Sequence, residues 1–286
     1  EEAAKYAQWL DSGNQADMAY LEKYLDKRED ISGLLPGART VIVCAMSYHT
    51  GIKHPENPGQ SGLGKISSYA WGDDYHDVIK SKLHELISTL SELSPESESR
   101  VFVDTGPVLE KSWAERAGLG IKGKNSLLLN KEYGSSLFLG IIITTALIAP
   151  DDEASSLCGT CSACIDACPT NALNSRGILD ARRCIAYWTV ETKPPTEIPK
   201  EIAENMNDYL FGCDICRNVC PYNDKAKISD RPEFLPRLGE TCPNLNTVKE
   251  MSQTEFSERF RKSPIKRLKL AGLKRNAEII EKNNKG

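Results

Sequence analysis

Eight of the chain's ten cysteines fall between Cys158 and Cys220, and that crowding constrains what the chain can fold into more than any other feature. A disulfide-stapled secreted domain scatters its cysteines as pairs, whereas a dense local set favours metal. The first run reads Cys158-x2-Cys161-x2-Cys164-x3-Cys168-Pro169 and the second Cys213-x2-Cys216-x3-Cys220-Pro221. Soft, anionic thiolates at this spacing suit iron: three close sulfurs hold one cubane, the fourth reaches across to another, and the proline turns the chain away. Zinc also accepts four cysteines, but its sites come as two-residue spacings separated by a longer gap rather than as a three-cysteine run ending in Cys-Pro.

The second run lacks its first position, which Cys184 fills most simply, displaced by the insertion 185–212. The crossover rule then assigns Cys158, Cys161, Cys164 and Cys220 to one 4Fe-4S cluster, and Cys168, Cys184, Cys213 and Cys216 to the other. The implied unit is a two-cluster, bacterial-ferredoxin-like domain that works in one-electron steps. Cys44, inside a strand candidate, and Cys242, without a partner motif, are expected to be buried structural thiols.

A length of 286 residues allows two or three packed units. No apolar run reaches the ~18 residues of a membrane span; Leu137 to Ala149 is too short and is interrupted by Thr144 and Thr145. The cysteine usage and this hydropathy pattern predict a soluble, cytoplasmic protein with no membrane partner. The chain begins without Met, within an amphipathic helix over Glu1 to Leu10, so native sequence is expected ahead of it. The β-branched run Thr40–Met46, together with Arg100–Asp104 and Leu137–Ile148, predicts strands. Tyr75 to Leu93 carries Val78, Ile79, Leu83, Leu86, Ile87 and Leu90 at helical spacing. Residues 1–150 thus read as an α/β (α+β) domain, 151–228 as the cluster domain and 229–286 as a short helical segment. In that segment helices are expected at Thr254–Phe260 and at Ile265–Lys282, the second broken near Gly272.

Other chemistry is thinly supported. The four histidines, His49, His54, His76 and His84, form no His-x-x-x-His pair, which argues against a zinc hydrolase; His76 and His84 read as structural. Gly118-x-Gly120-x-x-Gly123 does not follow a strand, so it reads as a loop and not as a dinucleotide fingerprint. Asp104 closes a strand, where α/β domains hold ligands, and alone reads as either a turn residue or a catalytic acid. Between Arg261 and Arg275 the chain places seven cations and no acid, within a net charge of -4. Ile265, Leu268, Leu270 and Leu273 give this stretch a buried side, and Lys266, Arg267, Lys274 and Arg275 are expected to contact RNA phosphates on the other.

The segment Asp104-Thr-Gly-Pro-Val-Leu-Glu-Lys111, followed by Ala117-Gly-Leu-Gly-Ile-Lys-Gly-Lys-Asn125, resembles the core signature of epoxyqueuosine reductases. Similar segments occur at Leu34-Leu-Pro-Gly37, Tyr69-Ala-Trp-Gly-Asp-Asp-Tyr-His76, Phe138-Leu-Gly140, Cys158-Gly-Thr-Cys161, Leu179-Asp-Ala-Arg-Arg-Cys184, Gly212-Cys-Asp-Ile-Cys216 and Gly272-Leu-Lys-Arg-Asn-Ala277. The resemblance, which covers nearly the whole chain, implies base-off cobalamin held by a cobalamin-binding α/β domain followed by the cluster domain. It further implies cobalamin contacts at Arg28, Ser67, Tyr69, Asp104, Lys122, Lys124, Asn125 and Gly140, and Asp104 as the proton donor, set against an apolar corrin face with a raised pKa. The implied substrate is tRNA carrying epoxyqueuosine in its anticodon loop, with Trp71 or Tyr69 stacking on the nucleotide. A flavodoxin or ferredoxin would donate electrons, and the protein would act as a monomer. The Asp-x-His-x-x-Gly cobalt motif is absent, as in a family whose proteins do not ligate cobalt through His; members often carry a helical-repeat segment after Gly-Leu-x-Arg-Asn-Ala, whereas the sequence here runs to Gly286. Two rivals share part of this plan: a corrinoid reductive dehalogenase, which normally carries an export signal, and an electron-carrying ferredoxin subunit, which has no need of a 150-residue α/β domain.

Overall fold

In the computed structural model, which describes residues 1–174 and 177–285, the first half of the chain forms α1 (Glu2–Asp11), α2 (Leu25–Glu29), β1 (Thr40–Ser47), β2 (Lys65–Ile66), α3 (Tyr75–Leu93), β3 (Ser99–Phe102), α4 (Glu110–Arg116), β4 (Ile121–Lys122), β5 (Leu128–Leu129) and β6 (Leu137–Thr144). The second half adds α5 (Ala163–Asp166), α6 (Ile185–Val190), α7 (Lys200–Glu204), β7 (Tyr209–Phe211), α8 (Ile215–Asn218), α9 (Leu245–Glu250), α10 (Gln253–Arg259) and α11 (Lys269–Lys285), with short 3-10 turns between. No helix among the described residues is long and apolar enough to cross a membrane.

Two compact units are interleaved along the chain. The first comprises Glu1–Ser47, Tyr75–Cys161 and Pro221–Lys227, the second Tyr48–Asp74, Ser162–Cys220 and Ile228–Gly286.

The first unit is built on a three-stranded sheet with β6 in the middle, antiparallel to both β1 and β3. The order follows from composition: β6, Leu-Phe-Leu-Gly-Ile-Ile-Ile-Thr, is the most apolar strand and lies almost fully buried, as a central strand with both faces covered must. α3 presents Ile79 and Leu83, both buried, and they meet β6 at Gly140. A Cβ there would lie 2.6 Å from Ile79 Cγ2 and 2.8 Å from Leu83 Cδ1, so the absence of a side chain lets the helix sit down on the sheet. Beneath the sheet, Ile141 and Ile143 pack with Leu34, Leu35 and Val108.

The second unit has the larger core, in which β7 runs parallel to β2 and α6, α9, α10 and α11 pack around Phe211, Leu210, Met206 and Leu268. The expected break in the last helix falls at Lys269, which has φ 66° after the 3-10 turn Pro264–Leu268, and not at Gly272. Gly272 lies inside α11, where a Cβ would be 2.4 Å from Leu268 Cδ1. This glycine is a packing residue.

The neighbouring Arg275 and Asn276 fix the same helix by hydrogen bonding. Asn276 is fully buried and donates to Thr189 O at 3.2 Å and Leu210 O at 2.9 Å, tying α11 to both α6 and β7. Buried carbonyls left without a donor are costly, so Asn276→Ala is expected to lower stability by about 3 kcal/mol. Urea denaturation of the cluster-loaded protein checks this, and an unchanged midpoint would show that Asn276 does not hold α11 in place.

Candidate active site and cluster centre

The cysteines divide between the units, Cys158 and Cys161 in the first and Cys164, Cys168, Cys184, Cys213, Cys216 and Cys220 in the second. Within the second unit, short elements deliver sulfurs to one place. A 3-10 turn, Ala181–Arg183, capped by the Asp180 side chain, ends at Cys184. β7 is followed by Gly212, whose φ of 72° and close approach to Ser67, 2.5 Å from where a Cβ would sit, turn the chain into Cys213. α8 then carries Cys216.

The residues are partly exposed overall, yet enough protein surrounds the sulfurs for burial to push the Cys184 and Cys213 thiols up and Cys216 up to about 12. The rest of the rise for Cys216 comes from the charges of Cys184, Cys168, Cys164 and Asp214, so these sulfurs stand within electrostatic reach of one another. Only a strongly cationic partner makes such a set ionise together, and thiolate-bound iron is one. The Cys168 sulfur also accepts the Ala172 N–H at 3.3 Å, a bond of the kind that tunes cluster potentials. Among the described residues, no three His, Cys, Asp or Glu side chains come together to share a single ion.

Cys44, on β1, and buried Cys242 stand apart from this set, and Cys242 bonds to His54 Nδ1 at 3.4 Å.

Asp214, between Cys213 and Cys216, carries no mark in the sequence that singles it out. It is buried and accepts from Ser67 Oγ at 2.5 Å and Ser68 N at 2.8 Å, with the Arg217 guanidinium at 3.4 Å. Ser67 is therefore held by the cysteine loop. Tyr69 is half-buried against Phe211. Trp71, expected to stack on a nucleotide, is instead core: it is 4% exposed and its Nε1 donates to Ile66 O at 2.7 Å.

In the first unit Asp104 lies just beyond β3 with φ 57°. Its carboxylate is 54% exposed and meets His76 Nε2 at 3.3 Å. The protein's own side chains leave it half-exposed, just past the end of the strand. The acid raised by burial is Glu110, in the first turn of α4, which burial and the neighbouring Asp104 charge push up to about 8. Glu110 Oε1 accepts the Asp104 N–H at 2.7 Å. His76 is stacked on Tyr75, which is stacked on Phe138. The sequence did carry a signal for Glu110, an acid six residues after Asp104 within one motif.

The remaining expected residues take varied places. Lys124 Nζ donates to Gly159 O at 3.0 Å and Cys161 O at 2.8 Å, clamping the first cysteine loop. Lys122 pairs with Glu2 at 3.4 Å, and buried Asn125 accepts the Leu127 N–H at 3.2 Å. Arg28 lies over the Tyr6 ring, and its buried Nε has no hydrogen-bond partner among the described residues.

In the basic run, Lys266 is exposed, Arg267 pairs with Glu191 at 2.7 Å and Lys274 is partly exposed. Arg275 turns inward, donating to Trp188 O, Thr192 O and Thr196 O at 2.8 to 3.1 Å, and burial brings it down to about 10. Its guanidinium caps the end of α6, a use that a cation-rich sequence does not reveal.

Residues 28–105 match the family model described as epoxyqueuosine reductase QueG, DUF1730, and residues 157–223 match a 4Fe-4S double cluster binding domain. An epoxyqueuosine reductase of Synechocystis sp. is 42% identical over 279 residues, covering 97% of this chain and 94% of that protein. A crystal structure of epoxyqueuosine reductase with an epoxyqueuosine-modified tRNA-Tyr stem loop superposes with a TM-score of 0.87 at 32% identity, covering 98% of this chain and 75% of that one. A Bacillus subtilis epoxyqueuosine reductase, solved with its catalytic Asp loop swung out of the active site, gives 0.87 at 31% identity over 98% and 75% of the two chains. The chain belongs to the epoxyqueuosine reductase family of oxidoreductases.

Proposed function

We propose that this protein reduces epoxyqueuosine to queuosine at the wobble position of tRNA, the last step of queuosine biosynthesis, with cobalamin reduced through two 4Fe-4S clusters. The two cysteine runs, matched over residues 157–223 by a 4Fe-4S double cluster binding domain, carry the reading, in a chain similar to reductases of that name. A relative solved with an epoxyqueuosine-modified stem loop supports the substrate. Cys158, Cys161, Cys164 and Cys220 would hold one cluster and Cys168, Cys184, Cys213 and Cys216 the other. Arg28, Lys122, Lys124 and Asn125 would hold the corrinoid, and the unpartnered buried Nε of Arg28 fits a ligand bearing polar substituents. When bound, cobalamin would supply the reducing metal centre, and the clusters would supply electrons one at a time. A flavodoxin or ferredoxin would feed them, and the protein would work as a cytoplasmic monomer.

The net reaction adds two electrons and two protons to the epoxide and gives an alkene and water. This chain's part is to deliver protons as the ring oxygen departs. Asp104 is well placed to do so, because its carboxylate is accessible and His76 Nε2 is in reach to return a proton to it. Its backbone N–H is already held, so the turn carrying it is set before substrate arrives. The Bacillus subtilis relative, described with a catalytic Asp loop, supports this assignment.

Of the four cations expected to meet RNA, Lys266, Arg267 and Lys274 retain outward character, while Arg275 serves α6. These three would position phosphates without reading bases.

Asp104→Asn is expected to retain iron and corrinoid yet lose about 100-fold or more in turnover, since the amide keeps the shape but carries no acidic proton. Single-turnover assays on modified tRNA check this; parent-like rates would pass the proton role to another group. Replacing Lys266, Arg267 and Lys274 by Gln is expected to weaken tRNA binding and flatten the dependence of log K on log salt by roughly 0.7 to 0.9 for every phosphate no longer neutralised. An unchanged slope in a filter-binding titration would mean that RNA docks elsewhere.

A further inference from the structure

Asp104 occupies the left-handed region of backbone space, φ 57°, at a point where the strand ladder has ended. Asp tolerates this region better than most non-glycine residues, so a hydrogen bond to its backbone can select the conformation at modest cost. The Asp104 N–H points to Glu110 Oε1, 2.7 Å away, across a turn of six residues. Glu110 is itself fixed. It begins α4, whose next residue, Lys111, anchors the helix start by donating Nζ to Ser126 O at 2.6 Å. The Asp104 carboxylate, on the far side of the same residue, reaches His76 Nε2, and His76 is braced by its stack on Tyr75.

We propose that Glu110 is a positioning residue: by accepting the Asp104 N–H, it latches the 103–107 turn in the one conformation that presents the Asp104 carboxylate beside His76. The inference rests on the reading of Asp104 as proton donor, although the latch itself is a property of the backbone and is tested apart from it. Because burial raises Glu110, the side chain carries its proton in much of the population near neutral pH, and a neutral acid still accepts through its carbonyl oxygen. Gln in its place keeps an acceptor at the same reach. Ala removes the acceptor, and Asp withdraws it by one methylene.

The test measures two things on the cluster- and corrinoid-loaded enzyme. In Glu110→Ala and Glu110→Asp, amide hydrogen exchange of the peptide covering residues 103–107 is expected to quicken about tenfold or more, while Glu110→Gln stays close to the parent. With modified tRNA, the Ala and Asp variants are expected to lose about tenfold or more in kcat at little change in KM, and Gln to restore most of it, because a displaced acid harms the chemical step more than binding. Two variants that lose the acceptor guard against one that does not fold, and iron content verifies that both do. Parent-like exchange in Ala and Asp overturns the latch. Faster exchange with unchanged kcat overturns the positioning role. Asp104→Asn assayed alongside separates the two levels: if it turns over like the parent, the proton assignment fails, and exchange alone judges the latch.

Discussion

Three sulfurs that resist ionising, those of Cys184, Cys213 and Cys216, stand within electrostatic reach of one another in the second unit. Burial raises the thiols of Cys184, Cys213 and Cys216, and each charge in the set opposes the next. Without a strongly cationic partner the set stays protonated, and its sulfurs then contribute little beyond packing. The proposed iron clusters would supply that partner. The elements that deliver them are short and held by local bonds: a capped 3-10 turn before Cys184, a positive-φ glycine before Cys213, and the Ala172 amide on the Cys168 sulfur. Asp214 extends the arrangement by tying the cysteine loop to Ser67 and Ser68. A change at Asp214 would therefore be felt both at the cysteine loop and in the turn at Ser67, which is how a buried carboxylate with several partners behaves.

In the first unit the parallel device is the turn at Asp104. As the proposed proton donor, Asp104 gains from a half-exposed carboxylate, which can exchange protons with water. The work of raising an acid falls on Glu110, which lies one turn of chain away and holds the backbone. Reach and rigidity are thus carried by different residues.

Much of this is legible in the sequence. The limits of α3, Tyr75–Leu93, follow from its apolar spacing, and β1 from its β-branched run, whereas β6, expected to reach Ile148, ends at Thr144. The cysteine motif is legible because its ligands lie close in sequence and its spacing is rigid. What is not legible depends on packing and hydrogen bonds that only the folded chain sets. Nothing near Trp71 in sequence says that its indole is buried with its N–H on Ile66 O. Arg275 reads as one more surface cation until α6 is seen to end beneath it. Gly272 resembles a helix breaker, and only the Leu268 side chain shows it to be a packing residue.

Everything proposed for this protein depends on its cysteines holding two cubanes, and iron quantification on anaerobically prepared, reconstituted protein tests that most directly. Two cubanes predict about eight irons per chain, four for each cluster. About four irons, or a stoichiometric zinc content in place of iron, would contradict the assignment.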